Sequence, residues 1–176
     1  MPEALNLSID RMETPIGELL LVTDGGGTLR AVDWMDYEAR MRRLLKLHYR
    51  NIGYTLTPNA APSDIRDKLK RYFAGDVHTI DDIAVDTAGT AFQRSVWKEL
   101  RNIPSGSPIS YRTLAEQINR PKAVRAVGLA NGSNPIGIVV PCHRVIGANG
   151  SLTGYGGGLE RKRWLLDHEQ RNASGR

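Results

Sequence analysis

The chain reads as an α+β protein: an antiparallel N-terminal sheet with accompanying helices, followed by a helical C-terminal half. Three observations predict this. Apolar residues alternate through the first 34 positions between Gly-rich turns, they recur at helical spacing between residues 38 and 75, and beyond residue 90 the pattern changes to short helices separated by tight turns. With 176 residues, 40% of them apolar, the chain can bury a substantial core.

LNLSID, ELLLVTD and TLRAVDW predict strands at 5–12, 18–24 and 28–34, with TPIG and DGGG as turns. EARMRRLLKLHY follows as a helix, with Met41, Leu44, Leu45 and Leu47 at helical spacing and a basic opposite face. NIGYTLTPNAAPS reads as a loop or an irregular strand. Ser63 is placed to cap the helix DIRDKLKRYFAG, which Gly75 ends. Residues 76–89 are acidic, contain a short strand candidate at IAV, and form the passage between two domains, 1–88 and 89–170.

In the second domain, FQRSVWKELRNI puts Phe92, Val96, Leu100 and Ile103 on one face, with Thr90 as cap and Pro104 beyond its end. SGSPIS turns the chain, YRTLAEQI makes a second short helix, NRP connects tightly, and KAVRAVGLANG is a third helix ending near Gly132. Helix, short turn, helix is the arrangement of helix-turn-helix DNA readers, although small helical bundles share it. Ala123, Val124, Ala126, Gly128 and Ala130 make the third helix slim, with Arg125 the one long side chain in its middle. Such a helix can approach another surface closely, and tight internal packing accounts for the same composition. Asn134 and Pro135 lead into IGIVV, read as a buried strand, and ERKRWLLDHEQ forms a last helix before a tail, 171–176, expected to be disordered.

Charge is distributed unevenly. Residues 1–89 carry 11 Lys and Arg against 14 Asp and Glu, whereas residues 90–170 carry 11 against 5. A local cationic excess attracts polyanions, which makes nucleic acid a candidate partner of the second half, although a solvated basic face has the same composition. No apolar run is long enough to span a membrane, and MPEALNLSIDRMETP lacks the pattern of a signal peptide, so a cytoplasmic protein is expected. A single cysteine excludes an internal disulfide. A metal site would have to gather Cys142 with the scattered His48, His78, His143 and His168, and none is expected.

That cysteine lies in IVVPCHRVIG. A lone cysteine is commonly a small buried hydrophobe, but Pro141 favours a strand ending or a turn at Cys142, and His143 and Arg144 fit a core only with partners. A cation or base nearby favours the thiolate, the form that reacts. Adjacent residues of an extended chain point to opposite sides, so proton transfer from Cys142 to His143 needs a sharp turn or a bridging water. A base also needs an orienting acceptor, and the acids of the last helix, Glu160, Asp167 and Glu169, are the candidates. SLTGYGGGLE is a Gly-rich loop in which Tyr155 can form a pocket wall or lid; it lacks the spacing of a phosphate-binding loop.

PCHRV, preceded by RAVGLANGSNP and followed by GYGGGLERKRWLLDHE, closely resembles the O6-alkylguanine-DNA alkyltransferases, also called methylated-DNA:protein-cysteine methyltransferases. The match is strong over residues 88–170 and rests on element order before that. The resemblance implies an RNase H-like N-terminal domain and a winged helix-turn-helix-like catalytic domain. It implies irreversible, single-turnover transfer of an alkyl group from O6-alkylguanine in double-stranded DNA to Cys142, with no cofactor, by a monomer. His143 would take the thiol proton through a water, oriented by Glu169. Tyr111 would donate to the leaving guanine and help turn the phosphate, and Asn134 would brace the turn before the active-site strand. Arg125 would fill the stack behind the extruded base, on a minor-groove helix that includes Ala123, Val124 and Gly128. Cys142, Val145, Tyr155 and Gly156 would line the guanine pocket. Gly156 departs from relatives with serine there, removing a hydroxyl contact to O6. Relatives that only bind lesions replace the cysteine by tryptophan, so its presence favours chemistry over a non-catalytic binding module for alkylated guanine. A Cys-His hydrolase lacks any signal of an oxyanion hole.

Overall fold

The computed structural model describes residues 3–173. The meander forms as β1 (Leu5–Thr14), β2 (Gly17–Thr23) and β3 (Leu29–Trp34), paired antiparallel in sequence order. After α1 (Glu38–Tyr49), the segment read as loop or irregular strand is β4 (Tyr54–Pro58), which runs parallel to β1. The sheet order is therefore β3-β2-β1-β4, with a parallel edge strand added to the antiparallel meander. The helical crossover through α1 makes that pairing possible, since parallel neighbours cannot be joined by a tight hairpin.

Both faces of this sheet are covered, which explains why β2 is apolar at every position from Leu19 to Val22. Leu20 and Val22 face α1 with Leu7, Ala31, Met41, Leu45 and Tyr49. Leu19 and Leu21 point the other way, into a core continuous with Leu69, Tyr72, Trp97, Leu114, Val127 and Leu165. Helix α2 (Ser63–Ala74) lies in that second layer. Pro62, not Ser63, is its N-cap; Ser63 is the first helical residue and makes no capping bond, because Pro62 already holds the extended backbone a cap requires. Gly75 ends the helix with φ 120°, as its position suggested.

The C-terminal half supplies α3 (Ala91–Leu100), α4 (Tyr111–Gln117), α5 (Val124–Gly132) and α6 (Leu159–Asn172). Thr90 caps α3 and Gln93 returns the bond, a reciprocal capping box. Trp97 donates its indole N–H to the Ala130 carbonyl at 2.8 Å, fixing α3 to α5. Two-residue strands β5 (Ile109–Ser110) and β6 (Val145–Ile146) pair parallel beside α4. The strand candidate IAV contributes a single bridge, Leu29 to Val85.

Two further expectations are corrected. IGIVV is not a strand: it makes one bridge, Val32 to Ile136, and then coils, with Ile138 at φ 67°. Asn134 overrides the β-branched composition by bonding the Ile136 amide (3.0 Å) and the Val140 carbonyl (2.7 Å), which closes the segment into a knot of buried turns. Arg171 and Asn172 belong to α6 and are not disordered, because Asn172 donates to the His168 carbonyl at 2.8 Å and extends the helix end; residues 174–176 lie outside the described residues.

Candidate active site

The thiol sits where strain and pinning meet. A β-branched residue in the left-handed region, as Ile138 is, costs about 1–3 kcal/mol and persists only when its surroundings dictate it. Asn134 is buried and supplies that constraint. The Cys142 amide then bonds the Val140 carbonyl at 2.8 Å, and Cys142–Arg144 forms a single 3₁₀ turn closed by the Arg144 amide on the Pro141 carbonyl at 3.0 Å. The backbone here is a sharp turn and not the extended form in which neighbouring side chains point to opposite sides.

His143 is fully buried and bonds Glu169 Oε2 through Nε2 at 2.8 Å. Its Nδ1 is buried without a protein partner. With the Nε2 proton directed at the carboxylate, Nδ1 is left as the acceptor. Of the three candidate acids on the last helix, Glu169 is the one that faces the imidazole. Its carboxylate also takes Arg144 bidentately, Nε to Oε1 at 2.9 Å and a terminal nitrogen to Oε2 at 2.9 Å, and accepts the Tyr72 hydroxyl at 2.7 Å. Arg144 also donates to the Ile103 carbonyl and the Ser105 hydroxyl. The buried guanidinium is thereby paired with a carboxylate and bonded at each of its three nitrogens, which is the condition for keeping it in a core.

These neighbours set the resting protonation. Burial raises the Glu169 pKa, but His143 and Arg144 outweigh it and hold the carboxyl well below the usual carboxylate range. Burial pushes the His143 pKa down against the pull of Glu169. Burial pushes the Cys142 thiol up, partly offset by the Asn134 side chain and by the Arg40 and Lys162 cations. The resting pair is thus a neutral thiol beside a neutral imidazole, not a standing thiolate.

On its open side Cys142, only 7% exposed, borders a nearly closed slot with about 10 Å³ of free volume. Tyr155, Gly156 and Gly157 form one wall; Asp33, Trp34 and Arg40 of the N-terminal half form another. Arg40 bonds Asp33 at 2.8 Å and reaches the Gly132 carbonyl at 2.9 Å, so it joins α1 to the end of α5. Lys162, fully buried on α6, donates to the Thr153 and Gly154 carbonyls and anchors the Gly-rich loop, with its own pKa lowered by burial to about 8. Tyr111 donates to the Thr153 carbonyl at 3.2 Å, so it borders the same loop. Val145 does not border the slot; its amide closes the turn on the Cys142 carbonyl. A larger cleft of about 590 Å³ beside Tyr37, Arg161 and Trp164 has no contact with the thiol. Among the described residues no three His, Cys, Asp or Glu side chains converge as a metal site, and no helix is long and apolar enough to cross a membrane.

Helix α5 turns Val127, Ala130 and Asn131 inward and leaves Arg125, Ala126 and Leu129 exposed; Ala123, Val124 and Gly128 lie half-buried along its flanks. Arg125 is open to solvent and forms no ion pair among the described residues. Sequence reasoning missed Asp33, Trp34, Arg40, Tyr72 and the anchoring by Lys162. Two carried a signal: Asp33 interrupts an apolar strand, and Tyr72 continues the buried stripe of Ile65 and Leu69, where a phenol needs a partner.

The family profile described as "6-O-methylguanine DNA methyltransferase, ribonuclease-like domain" matches residues 10–87, and "6-O-methylguanine DNA methyltransferase, DNA binding domain" matches residues 91–171. A Methylated-DNA--protein-cysteine methyltransferase of Shigella flexneri is 54% identical over 165 residues, covering 94% of this chain and 96% of its own. The crystal structure of Mycobacterium tuberculosis O6-methylguanine methyltransferase superposes with a TM-score of 0.79 at 42% identity, over 97% of this chain and 96% of that one. The crystal structure of Mycobacterium tuberculosis OGT in complex with DNA matches with a TM-score of 0.78 at 42% identity, over 95% and 94%.

Proposed function

The chain belongs to the 6-O-methylguanine DNA methyltransferase family, and from that membership we propose that it repairs DNA by moving the methyl group of O6-methylguanine onto Cys142, once per protein molecule. The observation that carries the reading is a thiol that borders a slot and is followed directly in its turn by a buried His–Glu pair. The slot is bordered by Tyr155 and Gly156, and one nitrogen of the imidazole is held by a carboxylate.

The chemistry follows from those positions. O6 inside a duplex cannot reach a buried thiol, so the damaged nucleotide must swing out. Helix α5 would enter the minor groove, its small Ala123, Val124 and Gly128 allowing close approach and Arg125 filling the stack behind the base. The free volume of the slot, about 10 Å³, is far below the roughly 300–1,000 Å³ of common small-molecule pockets. Admitting the base therefore requires the loop from Thr153 to Gly158 to move outward. The Cys142 proton passes through a water to His143 Nδ1, and Sγ attacks the methyl carbon in line. As the S–C bond forms, the C–O6 bond breaks and its electrons remain on guanine, which recovers a proton as it leaves with Tyr111 donating to it. The products are a thioether and guanine, so no cofactor is consumed. Water has no easy route to remove a methyl group from a thioether, and the protein is spent. Asn134 serves by pinning the backbone that presents the thiol.

Residues 1–88 and 89–170 are read as two domains, the second basic enough to give a salt-sensitive affinity for DNA. A monomer in a reducing cytoplasm suits an acceptor that works only as a free thiol. Incubation with a duplex carrying labelled O6-methylguanine tests the whole reading: one label should move to Cys142 per molecule. Lesion binding without label on the protein would select a binding module instead, and repeated turnover would select a hydrolase.

A further inference from the structure

Tyr72 belongs to α2, in the N-terminal half, yet its hydroxyl donates at 2.7 Å to Glu169 Oε2, the oxygen that holds His143 Nε2 at 2.8 Å. Neither Tyr72 nor Glu169 is exposed to solvent. The ring cannot turn away. Phe73 and His168 pack edge-on against it at 5.2 and 5.4 Å, and the Tyr72 carbonyl accepts a bond from His168 Nε2 at 2.6 Å.

Three donors therefore converge on one oxygen: the Tyr72 hydroxyl, the His143 ring and an Arg144 nitrogen. A carboxylate oxygen has a limited capacity to accept, and bonds to an ionised group in a dry interior are strong, so each donor draws charge away from the others. We propose that Tyr72 is a positioning residue of the transfer, its hydroxyl governing how much of the Glu169 charge reaches His143 and so how readily His143 takes the thiol proton. This rests on reading His143 as the base. It gives the N-terminal half a part in the chemistry without contact with the lesion.

The charged and titratable groups around His143 are Glu169 and Lys162 on α6, Arg144 and Cys142 in its own turn, and Tyr72 on α2. Arg144 and Lys162 lower its proton affinity, as burial does, and Glu169 raises it. By weakening the pull of Glu169, the Tyr72 hydroxyl acts on the lowering side.

The test uses the full chain with Tyr72→Phe, which keeps the ring and removes the hydroxyl. The His143 ring is titrated by ¹⁵N NMR before any reaction, and its midpoint is expected to rise by about one pH unit. The acidic limb of the methyl-transfer rate should rise with it. Phe73→Leu loosens the packing of the Tyr72 ring but leaves the hydroxyl, and is expected to titrate as the unaltered protein does. Tyr72 replaced by 3-fluorotyrosine, a stronger donor of nearly the same shape, should move the midpoint downward. An unmoved midpoint in Tyr72→Phe, or equal movement in Tyr72→Phe and Phe73→Leu, overturns the proposal. Because the titration is read in unreacted protein, it is decided even if no methyl group is ever accepted, the result that would instead sink the proposed function.

Discussion

The Arg40 guanidinium rests against Gly156 so closely that a Cβ built on the glycine would stand 2.7 Å from Arg40 Cζ. Glycine is required there by a residue more than a hundred positions earlier in the chain. The guanidinium cannot simply retreat, since it is held by Asp33 and by the Gly132 carbonyl.

Gly156→Ser, which would install the hydroxyl found in some relatives, should therefore destabilise the protein by about 1–3 kcal/mol, the usual cost of overpacking. Arg40→Ala in the same chain should recover part of that cost. A double-mutant cycle by urea unfolding measures the coupling, and strictly additive effects would remove Arg40 as the reason for the glycine.

Glu169→Gln leaves Arg144 buried against a neutral amide. Breaking a buried pair of this kind costs about 3–5 kcal/mol, which chemical denaturation would read directly. The pH dependence has a definite sign. The folded carboxyl titrates below its unfolded value, so its contribution is present above the ordinary carboxylate range and is lost as pH falls through and below that range. The substituted protein should lose less stability than the parent on acidification from about pH 5 to pH 3.

Arg125→Ala should leave stability within about 0.5 kcal/mol of the parent, since the side chain is exposed. Its effect belongs to duplex repair: transfer from a lesion in double-stranded DNA should slow more than reaction with a free-base analogue. Equal slowing on both substrates, measured side by side, contradicts a role in extrusion. Cys142→Ala should abolish transfer on both while retaining DNA binding in a gel-shift assay.

Methylated protein should be less stable than unreacted protein. Cys142 has little free space, and an added methyl group in a packed site costs about 1–3 kcal/mol. Calorimetry should find a melting temperature lower by about 2–4 °C for each kcal/mol in a chain of this size. An unchanged melting temperature would mean that the slot absorbs the group without strain.

The local patterns were legible because local physics made them. The first three strands, the α3 cap at Thr90, the glycine end of α2 and the short helices after residue 90 follow from period and capping alone. IGIVV misled because β-branched composition argues for a strand, while the deciding bonds come from the side chain of Asn134 and leave no mark on periodicity. Ser63 looked like a cap until Pro62 took the position.

What the chain order alone established was a single thiol inside PCHR, a basic second half, and a slim helix bearing Arg125. Which acid serves His143, and what else that acid must hold, was decided only by folding. Tyr72 and Glu169 stand 97 residues apart in sequence, and Arg40 and Asn134 stand 94 apart. Buried charges and phenols demand partners, but the demand names no partner. Only the packing of the sheet and α2 against the C-terminal half brings Asp33, Arg40 and Tyr72 to the slot and its base, because hydrophobic burial, which is indifferent to residue order, sets where those elements lie.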